Sequence, residues 1–286
     1  MHPLFRNICI AIGVLFAIIG LVFTAVFFAM QFGLLNVRGS IEARNSFFSG
    51  ATTTSATSGI PAQPCLQEGM VRCQWDQTPE WNVVKGGLEK DRDVIIRVER
   101  ETGIKGRMMA AAVMPEQIRF FTSNREVFKR YFEPLKILGS LSQFSLGVSG
   151  IKQETARQVE IYANDPASPF YPGAEASALI AYPEGIDRDA ELFRRLTDEK
   201  DHYYSYLYTA LFMKEVAAQW ANAGFDIDEN PEAIVTLFNI GFAKSIPNAN
   251  PQVGGAPITA GGMTYAFGEL GANFYRSGEL LDIFPR

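Results

Sequence analysis

The chain has 286 residues, of which 47% are hydrophobic and 20% are charged, and its formal net charge is −5. This composition is typical of a folded globular protein with some membrane character, and the acidic balance gives no reason to expect a nucleic-acid partner. Its two histidines, His2 and His202, are too few for a His-based metal site or a Ser-His-Asp triad in the soluble part. We therefore expect neither a metal nor a cofactor.

The N-terminal segment has the pattern of a membrane anchor. Residues 7–37 contain no charged side chain, and their apolar core, "ICIAIGVLFAIIGLVFTAVFFAM", is 23 residues long. At ~1.5 Å per residue, a helix of this length crosses a ~30 Å hydrocarbon layer. The apolar core of a cleaved signal peptide usually has only about 7–15 residues. Residues 1–37 therefore predict one uncleaved transmembrane helix. The flanking charges do not decide its orientation, and the short N-terminal tail leads us to place the remainder on the extracytoplasmic side of the cell membrane.

A polar segment separates this anchor from the folded domain. The sequence "SFFSGATTTSATSGIPAQP" is rich in Ser, Thr, Gly and Ala, so residues 38–64 predict a flexible tether and residues 65–286 the domain. Cys65 and Cys73 are eight positions apart and could form a disulfide in an oxidising compartment. The alternatives are two unpaired thiols, or a pair of metal ligands that lacks the other ligands.

Helical patterns dominate the domain, and alternating strand patterns are nearly absent. "VVKGGLEKDRDVIIRVERETG" predicts one helix that ends at Gly103, and "GRMMAAAVMPEQIRFFTS" predicts another that is bent at Pro115. Further helical patterns cover 124–143, 152–165, 187–224 as one helix or two, and 230–241 with Asn230 as its N-cap and Pro231 in its first turn. The sequence therefore predicts a mainly α domain with long loops at 139–152, 163–186 and 242–264.

A single carboxylate lies within the apolar stretch "MMAAAVMPEQIRFF". A carboxyl group among apolar side chains is favoured in its neutral form, and a protonated carboxylic acid is the general acid that cleavage of a glycosidic bond needs. Glu116, beside Val113, Met114 and Ile118, is therefore the candidate catalytic residue. The alternative is a helix-surface position that pairs with Arg119, three residues on.

Three separated segments resemble one family. "AAVMPEQIRFF" places Glu116 in an apolar helix, "SLGVSGIKQETARQVE" runs from a glycine-bounded loop into a helix, and "IVTLFNIG" ends a later helix. Together they resemble the lytic transglycosylases related to goose-type lysozyme. In that family a catalytic Glu is followed by a Gly-Ala-Ser-Gly-Leu-Met-Gln loop and later by a Tyr-Asn-x-Gly turn. The resemblance covers roughly residues 104–286 and implies a lysozyme-like helical fold in which the three segments meet at a sugar-binding groove.

The resemblance also implies roles for single residues. Glu116 matches the catalytic acid. The substrate-binding positions are Ser149, Gly150, Ile151, Phe238 and Asn239. We add Tyr265 from the aromatic C-terminal segment, because aromatic faces pack on sugar rings. Several positions differ from the family pattern. Gln117 follows the Glu where the family has Ser, Lys152 and Gln153 replace Met-Gln, and Phe238 replaces the Tyr of the turn.

The reaction that the resemblance implies is cleavage of the bond between N-acetylmuramic acid and N-acetylglucosamine in peptidoglycan. One carboxyl group serves as acid and then as base, and the muramoyl 6-hydroxyl closes a 1,6-anhydro ring, so a second carboxylate is not required. The expected partners are peptidoglycan glycan strands and, through the N-terminal helix, the membrane. A hydrolytic lysozyme is a nearby alternative. The others are a non-catalytic peptidoglycan-binding or scaffold domain and a structural membrane protein of an envelope assembly.

Other positions have structural alternatives that the sequence leaves open. Ser149 could be a helix N-cap, and Phe238 and Asn239 could be a core residue and a C-cap. Glu133 could be a second carboxylate or a solvated residue at a helix end. The aromatic run "HYYSYLY" and the C-terminal aromatics could contact sugar rings or fill the core; the C-terminal aromatics are Tyr265, Phe267, Phe274 and Tyr275.

Overall fold

The computed structural model describes residues 74–122, 145–146, 148–198 and 200–286, together with four positions in the N-terminal apolar segment. Those four positions, Phe16, Gly20, Leu21 and Thr24, are helical. The remainder of the predicted anchor, the tether, the pair Cys65 and Cys73, and the predicted helix over 124–143 with Glu133 lie outside the described residues. Among the described residues, no helix combines the length and the apolar character needed to cross a membrane.

The domain is mainly helical, as the sequence predicts. Within the described ranges the chain forms nine α-helices and two short antiparallel hairpins, in addition to 3₁₀ turns at Gln74–Gln77 and Phe242–Lys244. The helices are α1 (Pro79–Lys90), α2 (Arg92–Thr102), α3 (Gly106–Thr122), α4 (Gln153–Ala163), α5 (Ala174–Leu179), α6 (Arg188–Thr197), α7 (Tyr203–Asn222), α8 (Pro231–Ile240) and α9 (Phe267–Arg276). The strands are β1 (Ser145–Leu146), β2 (Ile151–Lys152), β3 (Pro257–Ala260) and β4 (Met263–Ala266).

The predicted single helix before Gly103 is wrong, because the chain breaks it at Asp91 into α1 and α2. The Asp91 carboxylate lies 2.6 Å from His202 Nδ1 and accepts a hydrogen bond from the Tyr206 hydroxyl at 3.0 Å. These contacts to α7 hold the break, so tertiary interactions override a continuous helical pattern. The predicted C-cap is confirmed, since Gly103 has the left-handed φ of 79° and donates to Glu99 O.

The long helical segment that ends near residue 224 forms two helices. Asp198 terminates α6, and its Oδ1 accepts hydrogen bonds from the backbone N–H groups of Lys200 and Asp201 at 2.9 and 3.1 Å. After this turn α7 runs for 20 residues, of which 14 are buried. A helix that is apolar on nearly all sides is a core helix, and α7 is therefore the centre of the domain.

Helix α3 continues as one helix through Pro115. This residue has no N–H group, so it cannot donate to the carbonyl of Ala111.

Helix α3 packs closely against α9 because of glycines in α9. A Cβ atom on Gly271 would overlap the Ala111 carbonyl oxygen, and one on Gly268 would overlap the Thr236 hydroxyl of α8. The two glycines therefore let α9 approach α3 and α8 more closely than any side chain would allow.

A buried arginine attaches the C-terminal residues to α3. Arg107 is 0% exposed, and its guanidinium donates to five backbone carbonyl oxygens at 2.6–3.0 Å. These acceptors belong to Phe274, Tyr275, Ser277, Glu279 and Phe284. Burial lowers the pKa of Arg107 to about 10, with a contribution from the nearby charge of Arg286. The carbonyl dipoles take the place of water around this cation.

Both hairpins lie in segments that the sequence analysis assigned to loops. In the second, β3 pairs with β4 through the register Ala260↔Met263, and Gly261 and Gly262 connect them with φ values of 59° and 79°. Positive φ at both central residues is the geometry of a type I′ turn, which favours glycine. The predicted loop over 242–264 is corrected accordingly, and α5 likewise interrupts the predicted loop over 163–186.

Candidate functional site

Glu116 is buried within α3. It is 5% exposed, and its neighbours Val113, Met114 and Ile118 are at most 1% exposed. Because α3 extends to Thr122, Glu116 lies inside the helix and not at its end. The expected apolar surroundings of this carboxyl group are therefore present.

Arg119 forms an ion pair with this buried carboxyl group. Its Nη2 atom lies 2.6 Å from Glu116 Oε1 and 2.5 Å from Oε2, and the exposed fractions of the two side chains are 24% for Arg119 and 6% for Glu116. The pairing given above as an alternative to catalysis is thus confirmed, whereas the surface position that went with it is wrong. A carboxylate and a guanidinium share a low-exposure site in which each compensates the burial of the other.

The loop between β1 and β2 lies directly against Glu116. Gly150 has a φ of 67°, and a Cβ atom at this position would lie 2.6 Å from both Cδ and Oε1 of Glu116. Real Cβ atoms do not approach other atoms so closely, so both the backbone conformation and the available space require glycine here. The structure therefore brings together two of the three segments on which the family resemblance depends.

Two polar side chains hold this loop in place. Gln117, which follows Glu116 in sequence, donates from Nε2 to the carbonyl oxygen of Val148 in this loop. On the other side, Ser149 N donates to Ser205 Oγ at 3.3 Å, and the two serine hydroxyl oxygens are 3.1 Å apart. Ser149 is 0% exposed and is not an N-cap, because α4 begins with Lys152 as its N-cap. Its side chain supports the loop from within the core.

Ile151 follows this loop in β2 and is 3% exposed. It pairs with Leu146 of β1, and Ser145 pairs with Lys152, so the hairpin brackets the Gly150 turn. The predicted substrate-binding positions Ser149 and Ile151 thus have buried side chains. What the loop presents towards Glu116 is the backbone at Gly150.

Phe238 and Asn239 lie at the end of α8, as predicted. The Phe238 ring packs edge-on against Phe212 of α7 with 5.5 Å between ring centroids. Asn239 Oδ1 accepts a hydrogen bond from Ala256 N at 2.8 Å, and Gly241 follows as the C-cap with a φ of 85°. In these contacts Phe238 is a core-packing residue, and Asn239 fixes the segment that leads into β3.

Tyr265 lies in β4 and is 2% exposed, with its hydroxyl 3.8 Å from Met263 Sδ. The aromatic side chains of α9 are also buried: Phe267 and Phe274 are 0% and Tyr275 is 6% exposed. In the run "HYYSYLY", Tyr203, Tyr206 and Tyr208 are buried as well. Most of the aromatic side chains considered for sugar stacking therefore serve the core, and the Trp75–Trp81–Phe274 cluster, with centroids 5.0–6.3 Å apart, is part of it.

Besides Asp91, two further described carboxyl groups are buried outside the Glu116 cluster. Glu215 of α7 is 0% exposed, and neither of its oxygens has a hydrogen-bond partner among the described residues. Burial raises the pKa of Glu215 to about 10. Glu160 of α4 accepts hydrogen bonds from the hydroxyls of Tyr182 and, at 2.5 Å, Tyr208. Burial and the bond to Glu160 raise the pKa of Tyr182 to about 12.

In the described part of the chain, neither a metal-binding cluster nor the cavity given below includes Glu116. Within that part of the chain, no group of three or more His, Cys, Asp or Glu side chains could hold a metal ion. A surface cavity of about 570 Å³ is lined by residues between Asn164 and Arg188, and Glu116 is not among them.

Sequence reasoning identified Glu116 and the glycine loop but missed the side chains that fix the loop. Gln117 was noted only as a departure from the family pattern, and Ser205 was read as part of an aromatic run. The signal for Ser205 was a small polar residue on an otherwise aromatic face of a core helix, where a buried hydroxyl needs a partner.

Comparisons of the chain with family models, with curated proteins and with solved structures found no match.

Proposed function

We propose that this chain is a membrane-anchored lytic transglycosylase that cleaves peptidoglycan glycan strands, with Glu116 as the single catalytic acid and base in a lysozyme-like domain. The observation that carries the proposal is the contact between Glu116 and the Gly150 loop. In the family that the sequence resembles, the catalytic Glu and the glycine loop meet at the sugar-binding groove. The corresponding residues of this chain are in contact. The mainly helical domain supports the proposal, and so do the apolar neighbours of Glu116.

In the proposed reaction, Glu116 donates a proton to the glycosidic oxygen between N-acetylmuramic acid and N-acetylglucosamine. The leaving sugar takes its 4-hydroxyl with that proton, and the carboxylate then accepts the proton of the muramoyl 6-hydroxyl. The 6-oxygen bonds to C1 and closes the 1,6-anhydro ring, so no water is consumed. General acid–base catalysis of this kind contributes about 10²–10⁴-fold to a rate.

The Arg119 ion pair imposes a requirement on this mechanism. The guanidinium of Arg119 lies 2.6 and 2.5 Å from the two carboxyl oxygens of Glu116, so it occupies the place that a glycosidic oxygen would take. Productive binding of a glycan strand must therefore separate the Glu116 carboxyl group from Arg119. In the unliganded protein, Arg119 stabilises the buried Glu116 side chain and also blocks its carboxyl group from the substrate.

The experiment is digestion of purified sacculi by the full chain, followed by mass analysis of the soluble products. The expected products are muropeptides with 1,6-anhydro ends, which are one water lighter than hydrolysed ones. Glu116→Gln should reduce their release at least 100-fold. Glu89→Gln, at an exposed position of α1, is the matched control and should release as much as the unaltered chain. Equal turnover by Glu116→Gln would refute the catalytic role, and products with added water would indicate a lysozyme.

The same ion pair favours a second candidate, a non-catalytic peptidoglycan-binding or scaffold domain. A buried carboxylate held by Arg119 is also what a purely structural role would require. In that case the chain would cosediment with sacculi without releasing any muropeptide, and Glu116→Gln would leave the cosedimentation unchanged.

A further inference from the structure

The surface cavity of about 570 Å³ lies between the end of α4 and the start of α6, away from the Glu116 cluster. Its volume falls in the range of small-molecule sites in proteins. Small and branched apolar side chains form much of its wall, including Ala178, Ile180, Pro183 and Ile186. Ile186 is 39% exposed at this site and gives a ligand an apolar surface to cover.

One wall of the cavity presents a cation. Arg188 is part of the lining, and its side chain is 65% exposed. The guanidinium lies 4.9 Å from the Tyr182 ring centroid, and its Nη2 is 3.4 Å from Glu160 Oε2. These contacts orient the planar fork but engage few of its five N–H donors, so donors remain for a ligand.

The floor of the cavity is fixed by a second, buried guanidinium. Arg195 is 3% exposed and donates to the carbonyl oxygens of Ile180 and Ala181 at 2.9 and 2.7 Å. Its Cζ atom also lies 4.1 Å from the centroid of the Tyr182 ring. The lining backbone and the Tyr182 ring are thus held before any ligand arrives, which lowers the entropy cost of binding.

The residues that line the cavity include one charged side chain, Arg188, and no carboxylate. Arg188 and Arg195 flank Tyr182, and Glu160 accepts hydrogen bonds from the Tyr182 and Tyr208 hydroxyls through Oε1, while its Oε2 faces Arg188. The ion pair of Arg188 with Glu160 is long, at 3.4 Å, and the Arg188 side chain is 65% exposed, so the pair is a weak one that leaves the guanidinium accessible. A planar carboxylate matches a guanidinium fork through two parallel hydrogen bonds.

We propose that this cavity binds the free carboxylate end of a short peptide with small apolar side chains, Arg188 holding the carboxylate and the Ile180–Ile186 wall the side chains. The inference stands on the cavity itself and does not depend on the proposed function. Peptides of this chemistry have two sources, the stem peptides of peptidoglycan with D-alanine ends and ordinary peptides with L-residues.

The test is a titration of the purified full chain with four ligands, monitored by ligand-observed NMR. The ligands are acetyl-D-Ala-D-Ala, acetyl-L-Ala-L-Ala and the C-terminal amide of each. We expect at least one acid to bind tenfold more tightly than its amide, and the preferred stereoisomer identifies the source. Equal binding of acids and amides, or no binding of either acid, would overturn the proposal.

Three variants locate the site. Arg188→Gln should weaken binding of the acid at least tenfold, and Arg92→Gln, an exposed arginine of α2, should leave it unchanged. Ala178→Trp should fill the cavity and abolish binding of acid and amide alike, while the exposed position keeps the fold intact. Unchanged affinity in Arg188→Gln or Ala178→Trp would contradict the assignment. Glu116→Gln should bind the dipeptide normally, so failure here and failure of the proposed function are distinguishable.

Discussion

Glu116 and Glu215 are both buried carboxyl groups on helices of the same core, yet their surroundings differ. Glu116 has an arginine within 2.6 Å and a glycine loop against its side chain, whereas no residue in the described part of the chain forms a hydrogen bond with either oxygen of Glu215. Burial alone therefore does not mark a site. What distinguishes the two acids is their neighbours. Of the two, Glu116 is the one whose side chain is held by an ion pair and by the close approach of the Gly150 loop.

The largest effect should come from removing the cation of the paired acid. Arg119→Met leaves the Glu116 charge buried without its guanidinium and should lower the free energy of unfolding by about 3 kcal/mol. Urea denaturation at neutral pH measures this loss. Arg97→Met, which removes the exposed ion pair with Glu101, is the control and should change stability by less than about 1 kcal/mol. Similar losses in both variants would show that the Glu116 pair is not a buried one.

Glu215 should behave in the opposite way, because it has no pair to lose. Its unfolded carboxyl group ionises above its ordinary pKa of 4.5, whereas the folded group keeps its proton until a pKa of about 10. Between these values the folded state binds more protons, so stability falls as pH rises, by up to about 1.4 kcal/mol per pH unit. Glu215→Gln cannot ionise and should be more stable than the unaltered chain by about 3 kcal/mol at pH 7.

The check is the free energy of unfolding of both proteins at several pH values from 5 to 9. The difference in favour of Glu215→Gln should vanish towards pH 4.5 and grow with pH. Glu215→Met, which also removes the buried polar atoms, should be at least as stable as Glu215→Gln. A constant difference across the pH range would show that Glu215 titrates normally in the folded protein.

The smallest of the three effects concerns the loop that distinguishes the two acids. Gly150→Ala places a Cβ atom against Glu116 at a positive φ and should lower the free energy of unfolding by about 2 kcal/mol. Gly87→Ala lies in the interior of α1 with nothing within 4 Å, so it should raise stability by about 0.5–1 kcal/mol. If the proposed function holds, Gly150→Ala also loses muropeptide release and Gly87→Ala retains it.

The sequence predicted what depends on local chemistry. The helical periodicity of α3 and α4, the Asn230 cap of α8, which accepts from Ala233 N at 2.9 Å, and the Gly103 C-cap all follow from residues near one another in the chain. The break at Asp91 did not, because its cause is a contact with His202 and Tyr206, more than a hundred residues away. Periodicity contains no information about such partners.

The site followed the same division. The Glu116–Arg119 pair is a short-range i,i+3 contact, and the sequence offered it as an alternative. The Ser149–Ser205 contact joins residues 56 positions apart and could be found only in three dimensions. The β3–β4 hairpin was missed for another reason, since the Gly261-Gly262 pair is a local turn signal between two short strand-forming segments that the helical emphasis overlooked.

The arginine at the start of α3 has a practical consequence for anyone who shortens or tags this protein. Arg107 and Glu116 share one helix, and the carbonyl oxygens that solvate Arg107 come from residues 274–284. Deleting the chain after Arg276 would remove three of the five acceptors of this cation and loosen the helix that carries the acid. A fusion partner is therefore better attached through a long spacer after Arg286 than in place of the final turns.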